Sequence, residues 1–512
     1  MLNSKPLKNV KMKNTKYIIA SLLVITMTTG CEKFVDYSPK EDFQITSDDY
    51  LKTVDDYQKM VIGCYSPLQW LWASPVIGDI ASDNAVAGGE NATDQIGFQQ
   101  MDDYQLNSNN ANLTETWKSC YEGINRVNYL EENKVKLDFT GKDALYGEIY
   151  FLRAYYYFEL VRFFGDVPLF TGKRLSVSDS KGFPRAPKAD VYKQIEADLN
   201  AAIGVLPNTN VQKGRITKYA AQALLGKVLL YQGNETDNKG KFAAAATMLE
   251  NVVNGPFSLV TNFGNIFLQA GENGPESVFE IQYSNVSPFY DWSNPGRGQG
   301  NLAVQVCGIR NLTGTSPYGQ GWSTNLPTVN LASAYAAGDT RKDATVLNIE
   351  TYKAANPSFN ITYLVAPYKN TGLYNQKYLP RKGETSGQVE LNYLNNNRTI
   401  RFADVLLMAA EANNRAATAN DTKAQGYLNR VRQRAFGDQL HNITSTGTAL
   451  KQAIWDERRL ELAMEGDRFF DLVRTGQAAS KITGFVTNKN EVFPIPQQEI
   501  DISGLTQNPG YN

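Results

Sequence analysis

The densest run of proton-bearing side chains lies between positions 457 and 474. There Glu457, Glu461, Glu465, Asp467 and Asp471 alternate with Arg458, Arg459, Arg468 and Arg474. Two carboxylates from such a run could supply the acid and base of glycoside hydrolysis, or hold a metal ion. The spacing argues for something else. Each acid has an arginine within three or four residues, the separation at which helical side chains meet, and Leu460, Met464, Phe469 and Leu472 mark a buried face beside them. The run therefore reads as an ion-pair network on packed helices, and Arg430, Arg432 and Arg434 read the same way.

Other chemistries lack their parts. The chain holds one histidine, His441, in the polar stretch 438–447, where it reads as a solvated loop residue. Imidazole-based zinc sites and Ser-His-Asp or Cys-His catalysis thus lose their base. Gly296, Gly298 and Gly300 follow no strand, open no helix and lack the phosphate-loop spacing, so they read as a surface loop. Beyond Cys31 only Cys64, Cys120 and Cys307 remain, with no CxxC pair, which allows one disulfide at most. No metal and no cofactor are expected. A net charge of -1 without a basic run in the body of the chain argues against nucleic acid.

What remains is a set of aromatic and polar side chains in turn-rich stretches. Trp70 and Trp72 lie near Asp83 and Asn84; Tyr290 and Trp292 flank Asp291; Tyr318 and Trp322 follow. A sugar presents weakly polar ring faces and hydroxylated rims. Its site therefore needs flat side chains to stack on and polar ones to hydrogen-bond. On that ground Trp72, Asp83, Asn84, Tyr290, Trp292 and Trp322 are the candidate ligand-binding residues. The competing reading is that some of these rings only pin long loops to a scaffold.

The elements that would position them are mostly helical. Residues 147–169 load nearly every turn of a helix with aromatics, ending at Gly165 and Pro168, so this helix belongs in the interior. Arg153 and Arg162 interrupt its apolar surface and need buried carboxylates, which the 457–474 cluster is expected to supply. Helical spacing recurs over 48–65, closed by Pro67, then over 117–135, 189–206, 218–231 and 242–253, and resumes at 400. Residues 70–89 read as a loop. Positions 255–397 are rich in Gly, Asn, Pro and Ser, with short strand-like runs at 278–283 and 362–365; the tail 477–512 reads as extended and pinned by prolines.

The N-terminus has the form of an export signal over 1–30. Lys8, Lys11, Lys13 and Lys16 precede a short apolar run, and Thr28, Thr29 and Gly30 precede Cys31, read as the lipidated first residue of the mature chain. The mature part, 31–512, reads as one domain: helical scaffold over about 47–254 and 398–476, an irregular ligand lobe over about 255–397, and the tail.

Several separated blocks carry a resemblance. RAYYYFELVRFFGDVPL, GWSTNLPTVNLASAYAAGDTRKDATVL, RFADVLLMAAEANN, LNRVRQRAF, IWDERRLELAMEGDRFFDLVRTG and FPIPQQEI resemble, in order, blocks of the SusD/RagB family of surface lipoproteins. The resemblance implies an all-α, mainly helical fold, in which tetratricopeptide-like helix pairs form the scaffold and a large loop-rich lobe with a few short strands bears the ligand site. It implies an oligosaccharide or polysaccharide ligand, or a peptide in some members, and no catalysis. The implied partner is a SusC-like TonB-dependent transporter, and the implied location the outer membrane, with a lipid anchor on Cys31 and the protein facing the cell exterior. A glycoside hydrolase is the alternative from the enzyme class. No binding residue carries over by motif.

Overall fold

The computed structural model describes residues 50–292, 298–385 and 391–511. The export signal, Cys31, the tether after it and Gly296 lie outside the described residues. A short N-terminal unit ends at Asp56, and a large one runs from Tyr57 to Asn512. In the first, Thr53 and Asp56 cap a helix reciprocally: the Thr53 N–H donates to Asp56 Oδ2 at 2.8 Å and the Asp56 N–H to Thr53 Oγ1 at 3.2 Å.

That helix, α1 (Val54–Trp70), continues through Pro67, contrary to the break expected there. Pro67 is buried three residues from the end; it cannot donate to the Gly63 carbonyl one turn back, and Arg126 Nη1 donates to that carbonyl instead, at 2.7 Å. Residues 70–89 are not a loop either: they hold α2 (Ala73–Ile80) and the short strand β1 (Ala85–Ala87). The tryptophans and turn-formers there masked a short helix whose face is almost wholly buried.

Next come α3 (Ala111–Glu132) and α4 (Lys142–Phe164). The second is the helix predicted to be interior, and 17 of its residues are buried. The two helices pack closely because Gly123 leaves room: a Cβ there would stand 2.2 Å from the Tyr156 ring. The Tyr156 hydroxyl donates to the Cys64 carbonyl at 2.8 Å, tying α4 to α1. Further on, α5 (Lys188–Val205) packs on α4, and α6 (Lys218–Thr236) pairs with α7 (Lys239–Val253).

The buried arginines of α4 find carboxylates, though not both where expected. Arg153 is clasped by Asp198 of α5, with Nε–Oδ2 2.8 Å and Nη2–Oδ1 2.7 Å, and by Asn128 and Glu131 of α3. Its partners come from adjacent helices, and the 457–474 cluster has no part in it. Arg162 pairs with Glu159 one turn away and, at 3.4 Å, with Asp467 of that cluster.

The lobe between is less regular. Strand β2 (Ser277–Ile281) pairs antiparallel with β4 (Asn397–Arg401), and β1 pairs with β3 (Asn325–Pro327) across more than two hundred residues of chain. Residues 362–365 form only an isolated bridge, from Thr362 to Thr313. Two small hydrophobic cores, one around Phe263 and Phe267 and one around Ile309 and Tyr374, hold the lobe together.

Helices α8 (Phe402–Arg415), α9 (Asp421–Phe436), α10 (Gly447–Glu461) and α11 (Arg468–Arg474) complete the scaffold. The charged run is a network, as its spacing indicates. Arg341, fully buried, pairs with Asp339 at 2.7 Å, Glu457 at 2.7 Å and Glu461 at 3.0 Å; Arg401 reaches Glu276, Glu461 and Glu465 at 2.6–2.8 Å. In the tail, α12 (Gln497–Ser503) forms where extended chain was expected, beginning directly after Pro496, which is a favourable place for a helix to start. Cys64, Cys120 and Cys307 are buried and free.

Candidate functional site

The candidate site is an aromatic surface resting on a small buried cluster. Trp70, Tyr290, Leu302 and Leu391 form the cluster, and Trp72 and Trp322 pack against it half-buried. Trp292 lies above, 68% exposed, its ring centroid 6.0 Å from that of Trp322 and the planes 31° apart. The two indoles thus lie side by side in contact, tilted, with that of Trp292 largely open to solvent. Trp72 leans on Phe98 edge to face, at 6.3 Å.

Local backbone chemistry fixes each ring. Trp72 sits in the tight joint between α1 and α2. Trp322 follows Gly321, which crosses Gly308 so closely that a Cβ on Gly321 would lie 2.3 Å from the Gly308 Cα. Only glycine permits that crossing. On either side, the Gly321 N–H donates to the Ile309 carbonyl and the Ser323 N–H to the Gly308 carbonyl. Ser323 itself adopts a left-handed φ of 54°, uncommon for serine, so the turn that aims Trp322 is held by its surroundings.

Arg310 is one such support. Its Nε and Nη2 donate to the Trp322 carbonyl at 3.2 and 3.1 Å, and the guanidinium pairs with Asp94 and, at 3.4 Å, with Glu90. Asp94 in turn accepts the Glu90 N–H at 2.9 Å, which organises that loop.

The other predicted residues go elsewhere. Tyr290 is fully buried; its hydroxyl donates to the Gln69 carbonyl at 3.2 Å, and its backbone exchanges hydrogen bonds with the Asn392 side chain at 2.8 and 3.0 Å. It anchors the segment that carries Trp292 and presents no ring face outward. Asp83 lies between Arg468, at 2.7 and 2.9 Å, and Arg459, at 3.2 Å. Burial alone would raise its pKa, but the two guanidiniums hold it below the usual carboxylate value. Asn84, also buried, accepts from Arg459 Nε at 2.9 Å. This pair locks the start of β1 to α10 and α11. The structure thus brings Trp72, Trp292 and Trp322 together over Tyr290, and directs Asp83 and Asn84 inward.

Sequence reasoning missed Arg310, Asp94 and Asn392. Arg310 stands 216 positions from Asp94 and Tyr290 102 from Asn392, and no short-range pattern links residues so far apart. His441 lies where expected, half-exposed in its loop, stacked on Phe436 at 3.9 Å with Nδ1 2.9 Å from Asp438. Among the described residues, no group of three His, Cys, Asp or Glu side chains is placed to hold a metal ion.

Comparison with known proteins agrees with this architecture. Residues 275–492 match the model described as "SusD family", and residues 33–230 match one described as "Starch-binding associating with outer membrane". Among curated proteins, SusD-like protein P2 of Formosa agariphila is 26% identical, over 97% of this chain and 100% of that protein. A solved laminarin-binding SusD-like protein is 33% identical, with a TM-score of 0.79 over 90% of this chain and 100% of that one. Surface glycan-binding protein A from Bacteroides thetaiotaomicron, solved in complex with laminarihexaose, is 28% identical, with a TM-score of 0.77 over 89% and 100%.

Proposed function

This chain belongs to the SusD family, and on that premise we propose that it is a cell-surface lipoprotein that binds a glycan and delivers it to a TonB-dependent outer-membrane transporter without cleaving it. The observation that carries the glycan reading is the platform: one indole largely in solvent, 6.0 Å from a second, on a rigid buried base. An open indole beside a second one offers a flat, weakly polar face, and stacked sugar rings suit such a face. Laminarin and laminarihexaose, named for two of the similar structures, make a β-glucan the first ligand to try.

Delivery and anchoring are the finer part of the proposal. Lipid on Cys31 would supply the anchor. A single acyl chain binds membranes only marginally, so additional chains or contact with the transporter must contribute. The non-catalytic reading is supported by the fate of the acids that could have served a hydrolase: Glu457, Glu461 and Asp471 are buried and paired with arginines.

Isothermal titration calorimetry against a panel of soluble polysaccharides tests the binding, with products checked for new reducing ends. Heat on titration with a glucan and intact ligand afterwards support the proposal. New reducing ends would replace it with the hydrolase, and binding of peptides in place of any glycan would redirect it to peptide capture.

A further inference from the structure

A hollow away from the exposed indoles is lined in part by Trp70. It is a cleft of about 700 Å3 walled by α3, the segment 168–183 and α12, within the range of roughly 300–1,000 Å3 usual for small-molecule sites. Trp70 lines it, and also belongs to the cluster that carries Trp72 and Trp322. Cleft and platform therefore share a wall.

The apolar side of the cleft is a run of touching rings. Trp117 meets Tyr121 at 5.0 Å between centroids, Tyr121 stacks on Phe170 at 5.6 Å, and Phe170 meets Phe183 at 5.6 Å. Phe183 ends the run half-buried. The polar lining includes Ser119, the carboxylates of Glu115, Glu122 and Glu499, and the ammonium of Lys118. Ser119 is 1% exposed and its Oγ has no hydrogen-bond partner in the protein, so the hydroxyl is desolvated without compensation until a ligand supplies a partner. Glu499 accepts from the Trp117 indole; burial nevertheless raises its pKa against that bond and the nearby Lys118. Rings interleaved with hydroxyl and carboxylate acceptors fit a ligand with C–H faces and hydroxyl donors. Three carboxylates against one lysine disfavour an anion.

We propose that this cleft is a second subsite for neutral glycan, a proposal that rests on the glycan reading above. Two subsites separated by one tryptophan would favour a long chain over a short one, because the second contact forms within an already bound molecule.

The test is 19F NMR of the protein carrying 5-fluorotryptophan at its six tryptophans, each line assigned by a Trp→Phe variant, during titration with laminarihexaose. Trp117 reports on the cleft, and Trp292 and Trp322 on the platform. The proposal expects both sets to shift, and Phe183→Ala to weaken the Trp117 response at least tenfold while changing that of Trp292 less than twofold. A platform that responds while Trp117 stays still overturns the second subsite and leaves the glycan reading intact, as does a Trp117 response unchanged in Phe183→Ala. If no line moves at saturating ligand, the glycan reading fails and the subsite with it.

Discussion

The guanidinium of Arg310 holds the backbone carbonyl of Trp322 with two hydrogen bonds, at 3.2 and 3.1 Å, while its outer edge pairs with Asp94 and Glu90. A side chain only 16% exposed thus links the loop around position 90 to the turn that aims one of the two platform indoles. A rigid platform loses less entropy on binding than a loose one, so Arg310 acts as a positioning residue without touching the ligand.

Replacing Arg310 should therefore weaken binding while leaving the fold in place. Arg310→Ala is expected to lower affinity for a bound glucan by threefold or more, about 0.7 kcal/mol. Arg310→Lys should recover little, because an ammonium cannot reproduce the planar fork. Calorimetric titration of both variants decides this, and affinities equal to the wild type would remove Arg310 from the site.

Trp292 is the direct test of the platform. With 68% of its surface in solvent, Trp292→Ala should leave the melting temperature within a degree or two and cost at least tenfold in glycan affinity, about 1.4 kcal/mol. Differential scanning calorimetry and titration of the same sample separate the two effects. Undiminished affinity would mean that the exposed ring serves some other contact.

The buried charge network predicts a large stability effect from one residue. Glu461 is shared by Arg341, Arg401 and Arg434 at 2.5–3.0 Å. Glu461→Ala would leave three guanidiniums short of charge in the interior, and breaking buried pairs in this way costs about 3–5 kcal/mol. Urea unfolding should show it; a loss below about 1 kcal/mol would mean that water or the remaining acids compensate.

Two buried acids give pH dependences of opposite sign. Burial alone would raise Glu461, but its three arginines hold it well below the usual 4.5. Its contribution to stability is therefore present above the unfolded-state pKa and is lost as pH falls through the folded one. Asp79 is raised by burial to about 7, against hydrogen bonds from Asn325 and Gly466 and the charge of Lys377. Its contribution is full below the unfolded value of 3.8 and is lost as pH rises toward 7. Unfolding midpoints from pH 4 to 8 should show Asp79→Asn flattening the decline over pH 4–7; an unchanged slope would mean that Asp79 stays charged throughout.

Packing between α3 and α4 supplies the last expectation. A Cβ at Gly123 would lie 2.2 Å from the ring of Tyr156, so Gly123→Ala forces either the ring or a helix to move. Overpacking of this kind costs about 1–3 kcal/mol. Chemical denaturation measures it, and a neutral result would show that Tyr156 has room to turn.

Much of this molecule was legible along the chain. Nearly unbroken aromatics at 147–164 dictate a helix with no solvent face, and acids set three or four residues from arginines over 457–474 dictate ion pairs, because helical geometry fixes which side chains meet. The tryptophans of the platform could be nominated because rings among polar, turn-forming residues suit either a ligand or a loop anchor, and Tyr290, nominated on the same ground, is an anchor. Other features were decided only by tertiary contacts. Pro67 lies inside a helix and residues 73–80 form another, since burial outweighed local turn preference. Tyr290 and Trp292 are two positions apart, yet one is sealed beneath Asn392 and the other stands in solvent. Arg153 turned to Asp198 and not to the distant acids. Which of several carboxylates an arginine meets, and which of two neighbouring rings faces out, depends on packing among segments hundreds of residues apart, and sequence periodicity carries no record of that distance.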